Sequence, residues 1–233
     1  MSRRTIAEIY VKERELVLPG QKLARGMKPG ENVFVDEGGA VRSAVIGLVS
    51  IQNEKIDVIP LSSSYIPRPN DIVLGKVTRI TGTTILVDIN APMPGIILIP
   101  RGNRRYHAGN KYDLRVGDVV LAKIKSFDNL SSPLLTIDAE GLGKITKGIL
   151  IKVNSAKIPR IIGKRGSMVN LLSSKSHSEI IVAQNGYVLV NPQSLKSLLA
   201  IKKALNKIQE ESHVAGLSDR ISRLLDDEMS GGS

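Results

Sequence analysis

The spacing of apolar residues changes character once along this 233-residue chain, near residue 141. Before that point, short runs rich in β-branched residues are separated by Gly, Pro and Asn, which is typical of strands and tight turns. After it, similar runs alternate with segments whose apolar residues recur at helical spacing. We therefore expect a multi-domain α+β protein whose helices lie in its C-terminal part.

Residues 141–215 predict elements in the order β-α-α-β-β-α. The expected elements are a strand at 148–153, helices at 155–162 and 167–175 with Ser167 as N-cap of the second, a hairpin over 179–191 that turns at Gln184-Asn185-Gly186, and a long amphipathic helix at 194–211. The loop Gly163-Lys164-Arg165-Gly166 lies between the first two helices. A Gly-x-x-Gly loop at that place in this order indicates a KH domain.

The glycine loop is the first candidate RNA-binding site. Gly163 and Gly166 lack a Cβ atom, so a sugar-phosphate chain can approach the peptide closely. Lys164 and Arg165 add full positive charges, and the following helix directs its amide groups and positive dipole end toward a phosphate. On this reasoning, replacing both glycines by Asp should weaken RNA binding without unfolding the domain. The alternative is a KH fold with a purely structural role.

Residues 67–140 predict a five-stranded barrel of the OB type. The expected strands are 72–80, 84–89, 95–99, 119–126 and 134–137. The long segment 101–117 interrupts them, and its charge predicts an exposed loop. The candidate RNA-binding residues of this module are Lys76, Arg101, Arg104, Arg105, Tyr106, His107 and Lys123. A solvated loop, or one that binds a neighbouring protein, is the alternative for 101–117.

Residues 1–66 predict a small N-terminal β domain. Strand-like runs occupy 32–35, 43–49 and 56–59, and a Pro- and Ser-rich stretch after them is a plausible hinge. At the other end, residues 216–233 are expected to form a polar C-terminal tail with a helix over 217–228.

The positive charge is concentrated in one part of the chain. The net charge is +11, and residues 141–215 hold 12 Lys or Arg against 3 Asp or Glu, which is +9. The same count gives +1 for 1–66, +3 for 67–140 and −2 for 216–233. A local excess of this kind favours a binding face for a phosphate polymer over a generally basic surface.

Catalysis by this chain is not expected. His107, His177 and His213 have no metal-ligand spacing, and no nucleophile elbow or Walker loop is present. The acidic run Asp226-Asp227-Glu228 is more typical of a solvated surface than of a metal site. We expect no cofactor, no bound metal and no membrane-spanning segment, and a cytoplasmic location fits the absence of Cys.

Several motifs resemble those of the RNA-binding cap subunits of the archaeal exosome. The similar segments are Val17-Leu18-Pro19-Gly20, 43–47, 69–77, 116–122, Ile161-Ile162-Gly163-Lys164-Arg165-Gly166-Ser167-Met168 and Gln184-Asn185-Gly186. The resemblance covers about residues 10–212. It implies an N-terminal β domain, an S1 domain and a KH domain in that order.

The resemblance also implies a function. Three cap subunits would sit on a hexameric ring of phosphorolytic ribonuclease subunits, bind single-stranded RNA and guide its 3′ end into the pore. The N-terminal domain would make the main ring contact. Two alternatives remain at this stage: a transcription or translation factor with S1 and KH modules, and a stand-alone ribonuclease that uses the acidic tail with a metal.

Overall fold

The computed structural model describes residues 7–61, 64–100, 111–128, 130–212, 214 and 216–230. The chain divides into two compact units, residues 1–63 and 64–233. The first is a β unit, and the second joins a closed barrel to an α+β module, so the predicted fold class is confirmed. Among the described residues, no helix is both long and apolar enough to cross a membrane.

The N-terminal unit consists of two small sheets around one aliphatic core. Its strands are β1 (Glu8–Ile9), β2 (Leu16–Val17), β3 (Lys22–Arg25), β4 (Lys28–Pro29), β5 (Val33–Val35), β6 (Ala40–Ser43), β7 (Gly47–Gln52) and β8 (Lys55–Pro60). The strand orders are β1-β3-β6-β5 and β2-β7-β8-β4. Leu23, Val49 and Ile56 are among the fully buried residues between them.

The strand predicted at 43–49 is wrong, because two strands of different sheets meet there. Ser43 ends β6, and its hydroxyl donates to the Val45 carbonyl at 2.6 Å, which closes a turn. Gly47 then begins β7, where a Cβ atom would lie 2.3 Å from the Ile59 carbonyl oxygen. The glycine thus permits the close pairing of β7 with β8. Apolar residues on both sides of Gly47, namely Val45, Ile46, Leu48 and Val49, concealed this break.

The barrel is formed by strands that lie close to their predicted positions. They are β9 (Ile72–Thr81), β10 (Thr84–Asp88), β11 (Gly95–Leu98), β12 (Val119–Ser126) and β13 (Leu134–Thr136), with β14 (Gly143–Ile145) added at the edge. Strand β13 pairs with both β11 and β12, so the five strands close on themselves. Val73, Ile85, Ile97 and Ile124 fill the interior. The alternation along each strand therefore directs the intervening residues outward.

The C-terminal part has the predicted order β-α-α-β-β-α and then one more helix. Its elements are β15 (Ile149–Lys152), α1 (Ile158–Ile162), α2 (Ser167–Ser176), β16 (Glu179–Val182), β17 (Tyr187–Asn191), α3 (Leu195–Glu210) and α4 (Leu217–Ser230). The sheet order is β15-β17-β16, and its inner face packs on the helices. Leu217, Ile221 and Leu225 of α4 are buried in the same core, so the predicted C-terminal helix is part of this packed module.

The turn of the β16–β17 hairpin docks on the barrel. Asn185 is fully buried there, and its side-chain amide donates to the carbonyls of Leu74 at 2.6 Å and Ile89 at 2.8 Å. Its Oδ1 accepts from the Leu74 N–H at 3.3 Å. Leu74 also packs with Ala183 and Leu189 in a small apolar cluster. The KH module and the barrel are therefore joined by a specific, hydrogen-bonded interface.

Candidate nucleic-acid interface

The glycine loop has a backbone conformation that few sequences can adopt. Gly163 ends α1 at φ 75° and ψ 174°, and its N–H donates to the Pro159 carbonyl at 2.9 Å. Arg165 and Gly166 also have positive φ, at 53° and 80°. Three residues of positive φ within a run of four reverse the chain tightly between α1 and α2. The loop is thus held in shape by its own backbone.

Glycine is needed at positions 163 and 166 for different structural reasons. A Cβ atom on Gly163 would lie 2.6 Å from the Met168 nitrogen and 2.9 Å from Ser167 Oγ, so the space beside it is already filled by the protein. A Cβ atom on Gly166 would meet nothing nearer than 3.7 Å. The prediction that Asp at both positions leaves the domain folded is therefore opposed by a steric conflict at Gly163. Only Gly166 leaves an open side to a ligand.

The first turn of α2 is open to an anion. The N-cap is Gly166 and not Ser167 as predicted, since Ser167 already has helical φ of −58° and ψ of −38°. No side chain caps the helix, and its first turn holds no acidic residue. The first amide groups of a helix have no intrahelical acceptor and carry partial positive charge. The Ser167 N–H already donates to the Lys164 carbonyl, so the amide groups that follow it in the first turn are the candidate donors to a phosphate oxygen.

Lys164 and Arg165 provide the full charges of the loop. Both are exposed, and Arg165 lies at the left-handed position of the turn. Neither takes part in a described ion pair, whereas Lys175 of α2 pairs with Asp226 at 2.6 Å and Lys203 of α3 pairs with Glu228 at 2.8 Å. The acidic residues of α4 therefore neutralise other lysines of the module. The positive charge of the loop remains available.

The same ion pairs remove the structural basis for a metal site in the acidic run. Asp226 and Glu228 point their carboxylates at different lysines, on α2 and on α3. Within the described residues, no cluster of three His, Cys, Asp or Glu has metal-binding geometry. The stand-alone ribonuclease alternative therefore receives no support from this helix.

The barrel places Lys76 and Lys123 on its outer surface but apart from each other. Lys76 lies in β9 opposite Asp88 and Val119, and Lys123 lies in β12 opposite Ile72. Ile72 and Lys76 are four residues apart on one strand, about 13 Å. Leu74, whose carbonyl accepts the hydrogen bond from Asn185 of the docked hairpin, lies between Ile72 and Lys76 on β9. The two lysines thus flank the joint with the KH module.

An outward-facing row on strands β9–β11 was not among the predicted site residues. Arg79 pairs across the strands with Leu86, and Leu86 pairs with Ile96. The next row ends at Leu98, which is 52% exposed. The row therefore combines an outward aliphatic surface with the charge of Arg79. The signal in the sequence that could have predicted this row is the strand alternation, which directs Ile85 and Val87 into the core and Leu86 outward.

The remaining predicted barrel residues are Arg101, Arg104, Arg105, Tyr106 and His107. All five lie outside the described residues. Of the same segment, Lys111 donates to the Asp138 carbonyl at 3.2 Å, and Arg115 is exposed.

The pKa values of Tyr112 and Asp118 are shifted by contacts that stabilise the barrel. Burial and the neighbouring Asp138 carboxylate raise the pKa of Tyr112 to about 12, and its hydroxyl donates to Asp138 at 2.6 Å. Burial alone would raise the pKa of Asp118, but the Lys144 ammonium at 2.6 Å lowers it below the ordinary value. Each group holds a barrel segment in place by a stable hydrogen bond or ion pair.

The fold and the glycine loop together define a class of modular proteins with an N-terminal β unit, an OB-type barrel and a KH domain. Residues 14–62 match the family described as "Exosome RNA binding protein RRP4 N-terminal domain". A solved structure described as a putative exosome complex RNA-binding protein is 32% identical at a TM-score of 0.65, and the match covers 72% of this chain and 98% of that one.

Curated relatives extend the match over nearly the whole chain. The protein named exosome complex component Rrp4 of Pyrococcus furiosus is 40% identical over 93% of this chain and 84% of its own length. The Rrp4 proteins of Methanothermobacter thermautotrophicus and Nitrosopumilus maritimus are 38% and 36% identical, over 94% and 92% of this chain and 70% and 96% of their own lengths. The chain belongs to the Rrp4 family of exosome complex components.

Proposed function

We propose that this chain is a non-catalytic, RNA-binding cap subunit of an archaeal exosome. It binds single-stranded RNA and guides the 3′ end into a hexameric ring of phosphorolytic ribonuclease subunits, for degradation from 3′ to 5′ or for tailing. Other cap subunits sit beside it on the ring. The same proposal places the protein in the cytoplasm and assigns it no cofactor of its own.

The observation that carries the RNA-binding part is the open, basic turn 163–166 at the start of α2. Exposed Lys164 and Arg165 flank amide groups that no side chain caps. A phosphate in that position gains hydrogen bonds, a favourable dipole and counterion release together. Lys76 and Lys123 extend the proposed RNA path over the barrel. Five residues outside the described part of the chain stay proposed RNA-binding residues: Arg101, Arg104, Arg105, Tyr106 and His107.

The N-terminal unit carries a surface suited to the ring. Leu16 of β2, Leu48 of β7 and Ile59 of β8 are direct cross-strand neighbours, and Leu16 and Ile59 are each 54% exposed. Ile46 and Leu61, joined by a backbone hydrogen bond at one end of this row, are exposed as well. A continuous apolar row on a small unit marks a protein–protein contact. This outer face of β2, β7 and β8 is our proposed ring-docking surface.

Affinity purification of the tagged chain from its native host, followed by an RNA decay assay, tests the proposal. We expect ribonuclease ring subunits to co-purify and the complex to shorten a single-stranded RNA only when inorganic phosphate is present. The purified chain alone should leave the same RNA intact, because its described acidic residues have no metal-binding arrangement.

Other results would contradict the proposal in distinct ways. Cleavage by the isolated chain that disappears when 217–230 is deleted would support a metal-dependent nuclease. Co-purification of RNA polymerase or ribosomes without the ring would support a transcription or translation factor.

A further inference from the structure

A small apolar pocket opens at the end of the barrel where β9 begins and β12 ends. It has a volume of about 200 Å³ and is lined by Ile66, Pro67, Pro92, Met93 and Phe127. None of the lining side chains carries a polar group. Ile66 is 64% exposed and Met93 is 39% exposed, so the rim as well as the floor is apolar. The pocket is separate from the glycine loop and from the Arg79–Leu86 row.

Phe127 provides this pocket with an aromatic ring, and aromatic side chains are scarce in the molecule. Aromatic residues are only 3% of the sequence. Of the rings in the described part of the barrel, Tyr65 and Tyr112 are buried and donate their hydroxyls to Asp71 and Asp138, each at 2.6 Å. Phe127 is half-buried and borders open space. It is therefore the one described barrel ring on which an outside planar group can stack.

Cations flank the pocket closely in sequence and in the fold. Arg68 directly follows Pro67, and exposed Lys125 precedes Phe127 by two residues. The segments lie side by side, since the Asn70 N–H donates to the Ile124 carbonyl at 2.9 Å. The nearby Asp128 carboxylate is engaged within its own turn, where it accepts from the N–H groups of Leu130 and Ser131. An apolar slot beside positive charge complements a base linked to a phosphate.

We propose that this pocket receives one unstacked base of single-stranded RNA, with the adjoining phosphate held by Lys125. The inference rests on the proposed RNA-binding function and adds a second contact point to it. The base packs against Phe127 and the two prolines, as stacking platforms for single strands do. Because the lining offers no hydrogen-bonding side chain, the pocket accepts any base and carries little sequence preference.

The test uses the full chain and a fluorescein-labelled 15-nucleotide oligoadenylate, with binding followed by anisotropy. The double variant Ile66→Ser with Met93→Ser changes two exposed side chains and leaves the net charge and the packed Phe127 intact. We expect its affinity to fall about tenfold, because the base keeps its contact with Phe127 but loses the two exposed side chains that enclose it, and a base–side-chain contact of this kind is worth about 1–3 kcal/mol at most. The matched control is Leu195→Ser with Leu199→Ser, two exposed apolar residues on α3. Its affinity should equal that of the wild type.

Abasic scanning of the oligonucleotide supplies a second readout. One abasic position should weaken binding to the wild type, and the same position should have a clearly smaller effect in the pocket variant. If wild type binds and the pocket variant binds equally well, the pocket is not a base site although the proposed function stands. If the variant keeps its RNA affinity but no longer co-purifies with ring subunits, the pocket holds a protein partner instead. If wild type does not bind, the proposed function fails as well.

Discussion

At the scale of single residues, the loop shows that one motif can combine two kinds of constraint. Gly163 is required because Met168 and Ser167 fill the space where a Cβ atom would lie. Gly166 is required by its φ of 80° alone, since its surroundings are open. Lys164 and Arg165 are exposed, and Arg165 also has a positive φ of 53°. The two glycines and Arg165 thus set the conformation of the loop, and Lys164 and Arg165 supply its charge.

Single alanine substitutions should separate these two glycines. Gly163→Ala combines a steric conflict with a glycine-only backbone region that costs about 1–3 kcal/mol. Gly166→Ala meets only the left-handed penalty of about 1–2 kcal/mol. We expect Gly163→Ala to lower the thermal unfolding midpoint more, measured by circular dichroism. Equal midpoints for the two variants would show that the contact with Met168 is not a constraint.

At the scale of elements, the β16–β17 hairpin is more than a connection between strands. The sequence Asn185-Gly186 predicts the turn correctly, and Gly186 has the positive φ of 84° that such a turn needs. The sequence does not predict that Asn185 is buried against the barrel, because its partners are backbone groups of Leu74 and Ile89, about a hundred residues away. Local turn chemistry and long-range docking use the same residue.

Replacing Asn185 should weaken this joint strongly. In Asn185→Ala the Leu74 and Ile89 carbonyls lose their donor inside the interface, and a buried unsatisfied group costs about 1–3 kcal/mol. We expect a midpoint about 2–12 °C lower, taking roughly 2–4 °C per kcal/mol for a unit of this size. The control is Asn191→Ala at the end of the same hairpin, where the amide donates to Glu179 at an exposed site. A midpoint for Asn185→Ala equal to that of the control would contradict the buried role.

The contrast between local patterns and long-range contacts explains how much of the fold and of the candidate site could be predicted from the sequence. Strands of the barrel and the order of elements around 163–166 follow from local patterns, because each element has its own periodicity and turn residues. The break between β6 and β7 escaped prediction because it depends on pairing with different partners. The Arg79–Leu86–Ile96 row and the pocket at Phe127 escaped it because they combine residues from three or more segments.

At the scale of the whole molecule, charge and apolar surface are divided between modules. The excess of positive charge lies in residues 141–215, and the acidic residues of α4 offset two of its lysines without reaching Lys164 or Arg165. Exposed large apolar residues are densest in the N-terminal unit, with 9 in residues 7–61 against 10 in the rest of the described chain. This division is consistent with the proposed docking through the N-terminal unit and the proposed RNA binding through the C-terminal unit.

The most direct measurement is the salt dependence of RNA affinity for the double variant Lys164→Glu with Arg165→Glu. Oligoadenylate binding is titrated at several KCl concentrations beside wild type and a control, Lys12→Glu with Lys28→Glu, which makes the same charge change at exposed sites of the N-terminal unit. The account predicts weaker binding for the loop variant only, and a slope of log affinity against log salt reduced by about 0.7 for each phosphate that the variant no longer neutralises. Affinity and slope equal to those of the control would contradict RNA binding by the loop.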